Sequence, residues 1–330
     1  MRIPFYLFFH ILVRMNHMLV RIKWCFILLF LLSCGSVDRG VSSPQKNKKI
    51  LCTIAQIGDL VKAVGGERVS TQVLVQGELN PHSYELVKGD DEKITQADLI
   101  VYQGLGLEHG ASVGSMLSAH RNTLAVGEAV RALYPEKILW KGPVPDPHLW
   151  MDVSLWKEAV DPITERLIAL DPEGEQQYLT RAERLKEQMR LTDLEVEALL
   201  YKIPEEKRYL VTSHDAFHYF ARRYLAKAGE LDWAKRFAAP EGLAPDGQLN
   251  PLDLQKIVDH LANYRIQVLF PESNVSKDSI RKIAAAGKEL GLSVRICKEA
   301  LYGDALRGNY LDAMKHNAMT IARHLDGQDE

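Results

Sequence analysis

Cysteine is scarce in this chain: four occur among 330 residues, and no two form a Cys-x-x-Cys pair. That excludes thiolate zinc sites and thioredoxin-type chemistry. Charge of one sign is lacking too, since 41 Lys and Arg stand against 43 Asp and Glu for a net −2. Without the first 33 residues, which carry Arg2, Arg14, Arg21 and Lys23 and no acid, the balance is −6, and nothing in it favours a nucleic-acid partner. With 46% hydrophobic and 25% charged residues the composition is globular, which excludes a disordered, collagenous or coiled-coil chain. At ~150 residues per domain the length suits two domains, or two lobes of one larger unit.

The apolar run Phe26 to Leu32 follows Arg21 and Lys23 and closes on Leu31-Leu32-Ser33-Cys34. It is too short to span ~30 Å of hydrocarbon and reads as the core of an export signal over residues 1–33. Its end resembles the lipobox of bacterial lipoproteins, which implies a lipid on Cys34; a plain leader cut near Ser42 or Ser43 is the alternative. Translation from Met15 or Met18 would give a leader of ordinary length. Cys25 leaves with the leader, so Cys52 and Cys297 are the remaining thiols, each in an apolar run where a buried thiol is the commoner outcome than a bridge.

After a polar tether over 34–48, short β-branched runs alternate with amphipathic ones. Strands are expected at 50–54, 68–75, 98–102, 124–126, 208–212, 267–270 and 293–296, and helices at 58–64, 86–96, 252–264 and 277–290. This order predicts an α/β fold of two lobes, 49–171 and 204–330, each with a mostly parallel four-stranded sheet and covering helices. Between them, 172–203 lacks proline after Pro172 and has Gly174 as its one glycine, while Tyr178, Leu185, Met189, Val196 and Leu199 recur at helical spacing. Asp171-Pro172 starts this linking helix and Pro204 stops it, unless it breaks near Thr192-Asp193.

Three histidines follow a strand or a proline-fixed turn: His82 in Asn-Pro-His, His148 in Asp-Pro-His and His214 in Val-Thr-Ser-His-Asp-Ala-Phe. Asp304 follows the last expected strand. In open α/β sheets the crevice beyond the carboxyl ends of the strands receives ligands, so these four side chains can converge between the lobes. Three imidazoles and one carboxylate suit a divalent first-row metal. An alternative is a zinc-dependent hydrolase, because His214 and His218 stand at i and i+4 and superficially resemble His-Glu-x-x-His. The intervening Asp215 is one methylene short for a general base, however, and three His with one Asp can close a tetrahedron.

The segments Asn80-Pro81-His82-Ser83-Tyr84-Glu85, Gly104-Leu105-Gly106-Leu107-Glu108, Asp146-Pro147-His148-Leu149-Trp150-Met151-Asp152, Ser213-His214-Asp215-Ala216-Phe217, Glu272-Ser273-Asn274-Val275 and Leu301-Tyr302-Gly303-Asp304 occur in order along nearly the whole mature chain. They resemble the solute-binding lipoproteins of metal-importing ABC transporters, the cluster A-I or TroA/ZnuA-like family. The wording Pro-His-Ser-Tyr-Glu-Leu-Val-Lys-Gly-Asp and Ala239-Pro240-Glu241-Gly242-Leu243 is most similar to its chlamydial branch, associated with iron as well as zinc and manganese. The resemblance implies metal as cargo on His82, His148, His214 and Asp304, two lobes joined by a long helix, and a membrane permease with its ATPase subunit as partners. A metal-binding surface adhesin is a second alternative. Zinc-specialised relatives carry a long His-rich loop before the second ligand, whereas 109–147 holds only His109 and His120.

Asp146, Asp215 and Glu241 are candidates to orient the ligand imidazoles from behind. His109, His120, His260, His316 and His324 read as solvated, and Trp150, Trp156 and Trp233 as packing, with Trp150 able to shield the cleft. Ordinary imidazole ligands would lose metal as pH falls through ~6.5.

Overall fold

In the computed structural model, residues 47–240, 242 and 251–326 are described; the leader, the lipid candidate Cys34 and Glu241 lie outside them. The first sheet has four parallel strands, β1 (Lys48–Cys52), β2 (Val69–Val73), β3 (Leu99–Tyr102) and β4 (Thr123–Ala125), in the order β2-β1-β3-β4. Central β3 is apolar on both faces, as a strand covered on two sides must be, whereas edge strand β2 alternates buried and wet positions. Helices α1 (Ala55–Gly65), α2 (Asp90–Gln96) and α3 (Ala111–Ala119) intervene, and α4 (Val126–Leu133) follows β4. Of the stretch expected to be helical over 86–96, only the part from Asp90 is, because the Asp90 carboxylate accepts from Val87 N at 3.0 Å and from Tyr84 Oη at 2.7 Å, holding the preceding residues in a turn.

Helix α5 (Val160–Leu170) leads through a tight turn at Pro172–Gly174 into α6 (Glu175–Leu200), 26 residues and ~39 Å long at 1.5 Å per residue. Its buried face runs through Tyr178, Ala182, Leu185, Met189, Val196 and Leu200. Asp171 fixes the entrance, accepting from Arg68 Nε at 2.7 Å and Nη2 at 2.9 Å and from Tyr178 Oη at 2.6 Å. The helix does not break at Thr192-Asp193. Asp193 is instead a buried acceptor for Tyr224 Oη at 2.7 Å and for Arg223, which also reaches Glu197.

Beyond α6 lie β5 (Leu210–Val211), β6 (Phe237–Ala238), α7 (Pro251–Tyr264), β7 (Val268–Leu269), α8 (Asp278–Glu289), β8 (Arg295–Ile296) and α9 (Tyr310–Asp326). Strands β5 and β6 pair in parallel, as do β7 and β8, and Phe270 N donates to Val211 O at 2.9 Å to join the two pairs. The second sheet therefore has the expected parallel strands, but each is two residues long. One apolar core runs from Ile50 and Val101 through Trp150, Tyr178 and Met189 to Phe217, Phe220, Phe270 and Ile321, with smaller clusters under α7–α8 and beneath α3. The two sheets thus share a core with the long helix instead of each closing on its own. Cys52 and Cys297 are both buried thiols, and burial pushes the Cys52 thiol well above its ordinary pKa. Among the described residues no helix is long and apolar enough to cross a membrane.

Candidate metal centre

Two of the four candidate ligands are aimed by the same local device. Asn80 Oδ1 accepts from His82 N at 2.9 Å, and Asp146 Oδ1 accepts from His148 N at 3.0 Å. In each, proline has no N–H to offer, so the Asx side chain caps the next residue and turns the imidazole inward. His214 follows β5 after Thr212 and Ser213, and Asp304 follows the single bridge between Glu272 and Leu301.

The four side chains meet. One ligand atom from each of His82, His148, His214 and Asp304 lies within 4.8 Å of the others, and all four residues are buried. His148 Nε2 is 3.2 Å from Asp304 Oδ1, while His214 Nε2 and His82 Nε2 are 3.2 and 3.4 Å from Oδ2. Ring centroids stand 5.3 Å apart for His82 and His148, 5.5 Å for His148 and His214, and 6.1 Å for His82 and His214. Both Asp304 oxygens and His214 Nε2 are fully buried without a hydrogen-bond partner. Inward-facing lone pairs left orphaned at the centre of a closed polar cluster are what a coordinated cation satisfies, so this donor set fits a metal.

A layer of carboxylates stands behind the imidazoles. His148 Nδ1 is 2.7 Å from Asp146 Oδ1, and His214 Nδ1 is 2.7 Å from Glu272 Oε2. Glu272 is wholly buried, and its Oε1 accepts from His214 N at 2.9 Å and from Ser213 N at 3.1 Å. Burial alone would depress the imidazole pKa values, but Asp146 and Asp304 lift His148 to about 9, and Glu272 and Asp304 hold His214 well above its ordinary value. His82 has no second carboxylate; burial outweighs Asp304 and its pKa is lowered. Burial would raise Asp304, yet His214, His82 and His148 together hold it well below the usual carboxylate range.

Asp304 is held through its backbone from the other side of the molecule. Gln56 Nε2, on α1, donates to Asp304 O at 2.8 Å, and Trp150 Nε1 donates to Gly303 O at 2.9 Å. Gly303 has to be glycine, because a Cβ there would collide with Glu272 Oε2. Trp150 also sets its ring edge-on to His148 at 5.2 Å, so it both covers the site and fixes the Asp304 loop.

Of the expected orienting residues, Asp146 is in place and Glu241 lies outside the described residues. Asp215 is not behind a ligand: it contacts Lys141 and stands 3.4 Å from His218 Nδ1. His218 turns to Phe237 and Trp233, away from the four ligands. His260 is half-buried against Tyr209 and Tyr264, not solvated, and burial lowers its pKa. The sequence assigns no role to Gln56 or Glu272, although Glu272 opens one of the family-like segments; its local signal is an acid straight after Pro271 at the end of an apolar strand. Changing Glu272 to Gln removes the anion behind His214 while keeping an oxygen for the two backbone donors. We expect metal affinity to fall about 10- to 100-fold in calorimetry, with an unchanged circular dichroism spectrum.

Parallel sheets braced by one long helix over a buried imidazole–carboxylate cluster define a metal-binding solute-binding protein. The chain belongs to the family described as zinc-uptake complex component A, periplasmic, whose model matches residues 50–324. It is 37% identical over 318 residues to the metal-binding protein YtgA of Chlamydia pneumoniae, covering 95% of this chain and 97% of the relative. It is 32% identical to the manganese-binding lipoprotein MntA of Bacillus subtilis, covering 91% and 96%. Among solved structures, Fe(III)-bound YtgA from Chlamydia trachomatis superposes with a TM-score of 0.81 at 34% identity over 84% of this chain and 98% of that one. The periplasmic zinc-binding protein TroA of Treponema pallidum superposes with a TM-score of 0.77 at 28% identity, covering 84% and 99%.

Proposed function

We propose that this protein is the extracytoplasmic capture component of an ABC importer, taking a first-row metal ion onto His82, His148, His214 and Asp304 and handing it to a membrane permease driven by an ATPase subunit. The observation that carries this reading is the buried Asp304 carboxylate, its two oxygens orphaned among three imidazoles. Three His and one Asp complete a tetrahedron and leave no open position for an activated water, which is what a hydrolase would need. The His214/His218 pair cannot serve one either, since only His214 reaches the cluster.

Residues 49–171 and 204–330 act as the two lobes and 172–203 as a spine that limits hinge opening, so small shifts of the second lobe release the ion when the carrier docks. The first 33 residues export the chain and Cys34 carries the lipid anchor.

An N3O donor set accepts Zn²⁺, Mn²⁺ and Fe²⁺, which accords with zinc-, manganese- and iron-binding relatives. A further reading concerns iron. Asp304, Asp146 and Glu272 are all buried, so with neutral imidazoles a divalent ion leaves this group at −1 and a trivalent ion makes it neutral. Ferric iron therefore belongs among the accepted ions.

Protein purified without added metal should contain about one first-row ion per chain by elemental analysis, bind it without catalytic turnover, and co-purify with the permease from membranes. Hydrolytic turnover that depends on His218, or metal-free protein that takes up neither Zn²⁺, Mn²⁺ nor iron, would defeat the proposal.

A further inference from the structure

His109 is exposed, yet its ring centroid lies 5.9 Å from that of buried His82. This falls inside the 5.3 to 6.1 Å spread of the three imidazoles that line the centre, so His109 and His82 are spaced as a ligand pair. His109 is not one of the four inner ligands. It stands outside them, beside the one ligand imidazole that has no carboxylate other than Asp304 against it.

The loop that presents His109 is built and not slack. Gly104, Leu105 and Gly106 all have positive φ, at 73°, 54° and 81°, and a buried leucine persists in that region only where its surroundings impose it. The neighbouring Glu108 carboxylate imposes it, accepting from Thr53 Oγ1 at 2.6 Å, Gln103 N at 2.8 Å and Gly104 N at 2.9 Å. At the end of this loop Gly106 O accepts from His109 Nδ1 at 3.2 Å. That bond places the proton on Nδ1 and leaves the Nε2 lone pair available to a cation.

We propose that His109 is a transient ligand for incoming metal: a hydrated divalent first-row cation exchanges water for His109 Nε2 and the His82 imidazole, then moves inward onto the four-ligand centre. The proposal rests on the capture reading above. Because His109 holds the ion in passage and not in the final state, it lowers the barrier in both directions and leaves the bound state unchanged.

Stopped-flow tryptophan fluorescence of the full chain with Zn²⁺, read through Trp150 beside His148, tests this. In His109→Ala and His109→Gln, association and chelator-driven dissociation should both slow by about tenfold, by the same factor, while His120→Ala leaves both at wild-type values. Unchanged rates in both His109 variants would overturn the proposal, as would a faster dissociation at unchanged association, which marks a permanent ligand or a structural role. Asp304→Ala separates the two levels. If it binds Zn²⁺ with wild-type affinity the centre itself is wrong, whereas strongly weakened Zn²⁺ binding there together with unchanged rates in the His109 variants sinks only the transient ligand.

Discussion

Changing Asp304 to alanine should remove nearly all metal binding while leaving the fold intact. Asp304 is the one anion among the four proposed ligands, and it stands within 3.4 Å of all three imidazoles. Its loss leaves a cation facing three neutral rings and removes the attraction that draws those rings together. Outer partners of metal ligands are worth about 10- to 100-fold in affinity, so loss of the charged ligand itself should exceed that range by about tenfold or more. The fold survives because the loop is tied by backbone acceptors, to Gln56 Nε2 and Trp150 Nε1, which the substitution does not touch. Calorimetry with Zn²⁺ and Mn²⁺, beside a circular dichroism spectrum of the same sample, checks both halves; wild-type affinity in this variant would remove Asp304 from the site.

Metal affinity should climb as pH rises from about 6.5 to about 9, well above the window that isolated imidazoles would give. In the metal-free protein His148 titrates at about 9 and His214 well above its ordinary value, so near neutrality both carry protons that an arriving cation must displace. Each displaced proton contributes about tenfold in affinity per pH unit. The sign for stability is opposite in the metal-free protein. A His148 pKa raised above its unfolded value contributes stability that is full below about 6.5 and is lost as pH rises through about 9. The melting temperatures of the metal-free and loaded forms should therefore separate as pH increases. Titration in two buffers of different protonation enthalpy measures the release, expected at about one to two protons per metal near pH 7. An affinity that stays flat between pH 6.5 and 9 would show that the paired carboxylates do not protonate these rings.

The sequence was most informative where one short segment does the work. Asn80-Pro81-His82 and Asp146-Pro147-His148 announce inward-turned imidazoles because the Asx, the proline and the histidine build the turn among themselves. The long helix was legible for the same reason: periodicity from Tyr178 to Leu199 and the stop at Pro204 are local. What depends on distant pairing was not. Glu272 acts on a histidine 58 positions away in the chain, and nothing beside it in the sequence shows that connection. Asp215 misled through adjacency, since following His214 in sequence places its carboxylate toward Lys141, outside the cluster. The second sheet was visible as apolar runs, but each run extends past the two residues that pair, because apolar neighbours are held by packing instead: Tyr209 and Val294 in the cluster under α7–α8, and Phe270 in the larger core.

The bonds from Gln56 and Trp150 to the Asp304 loop alter how the donors divide. By chain order Asp304 goes with His214, two ligands on each side of the spine. By hydrogen bonding it is shared: Gln56 and Trp150 hold the backbone of Gly303 and Asp304 from the first side, while Asn317, Ser273 and Pro271 hold Leu301 and Tyr302 from the second. A movement that carried Asp304 away with His214 would have to break the first set, and one that left it beside His82 and His148 would have to break the second. The Asp304 loop, more than any imidazole, therefore sets the cost of parting the two sides.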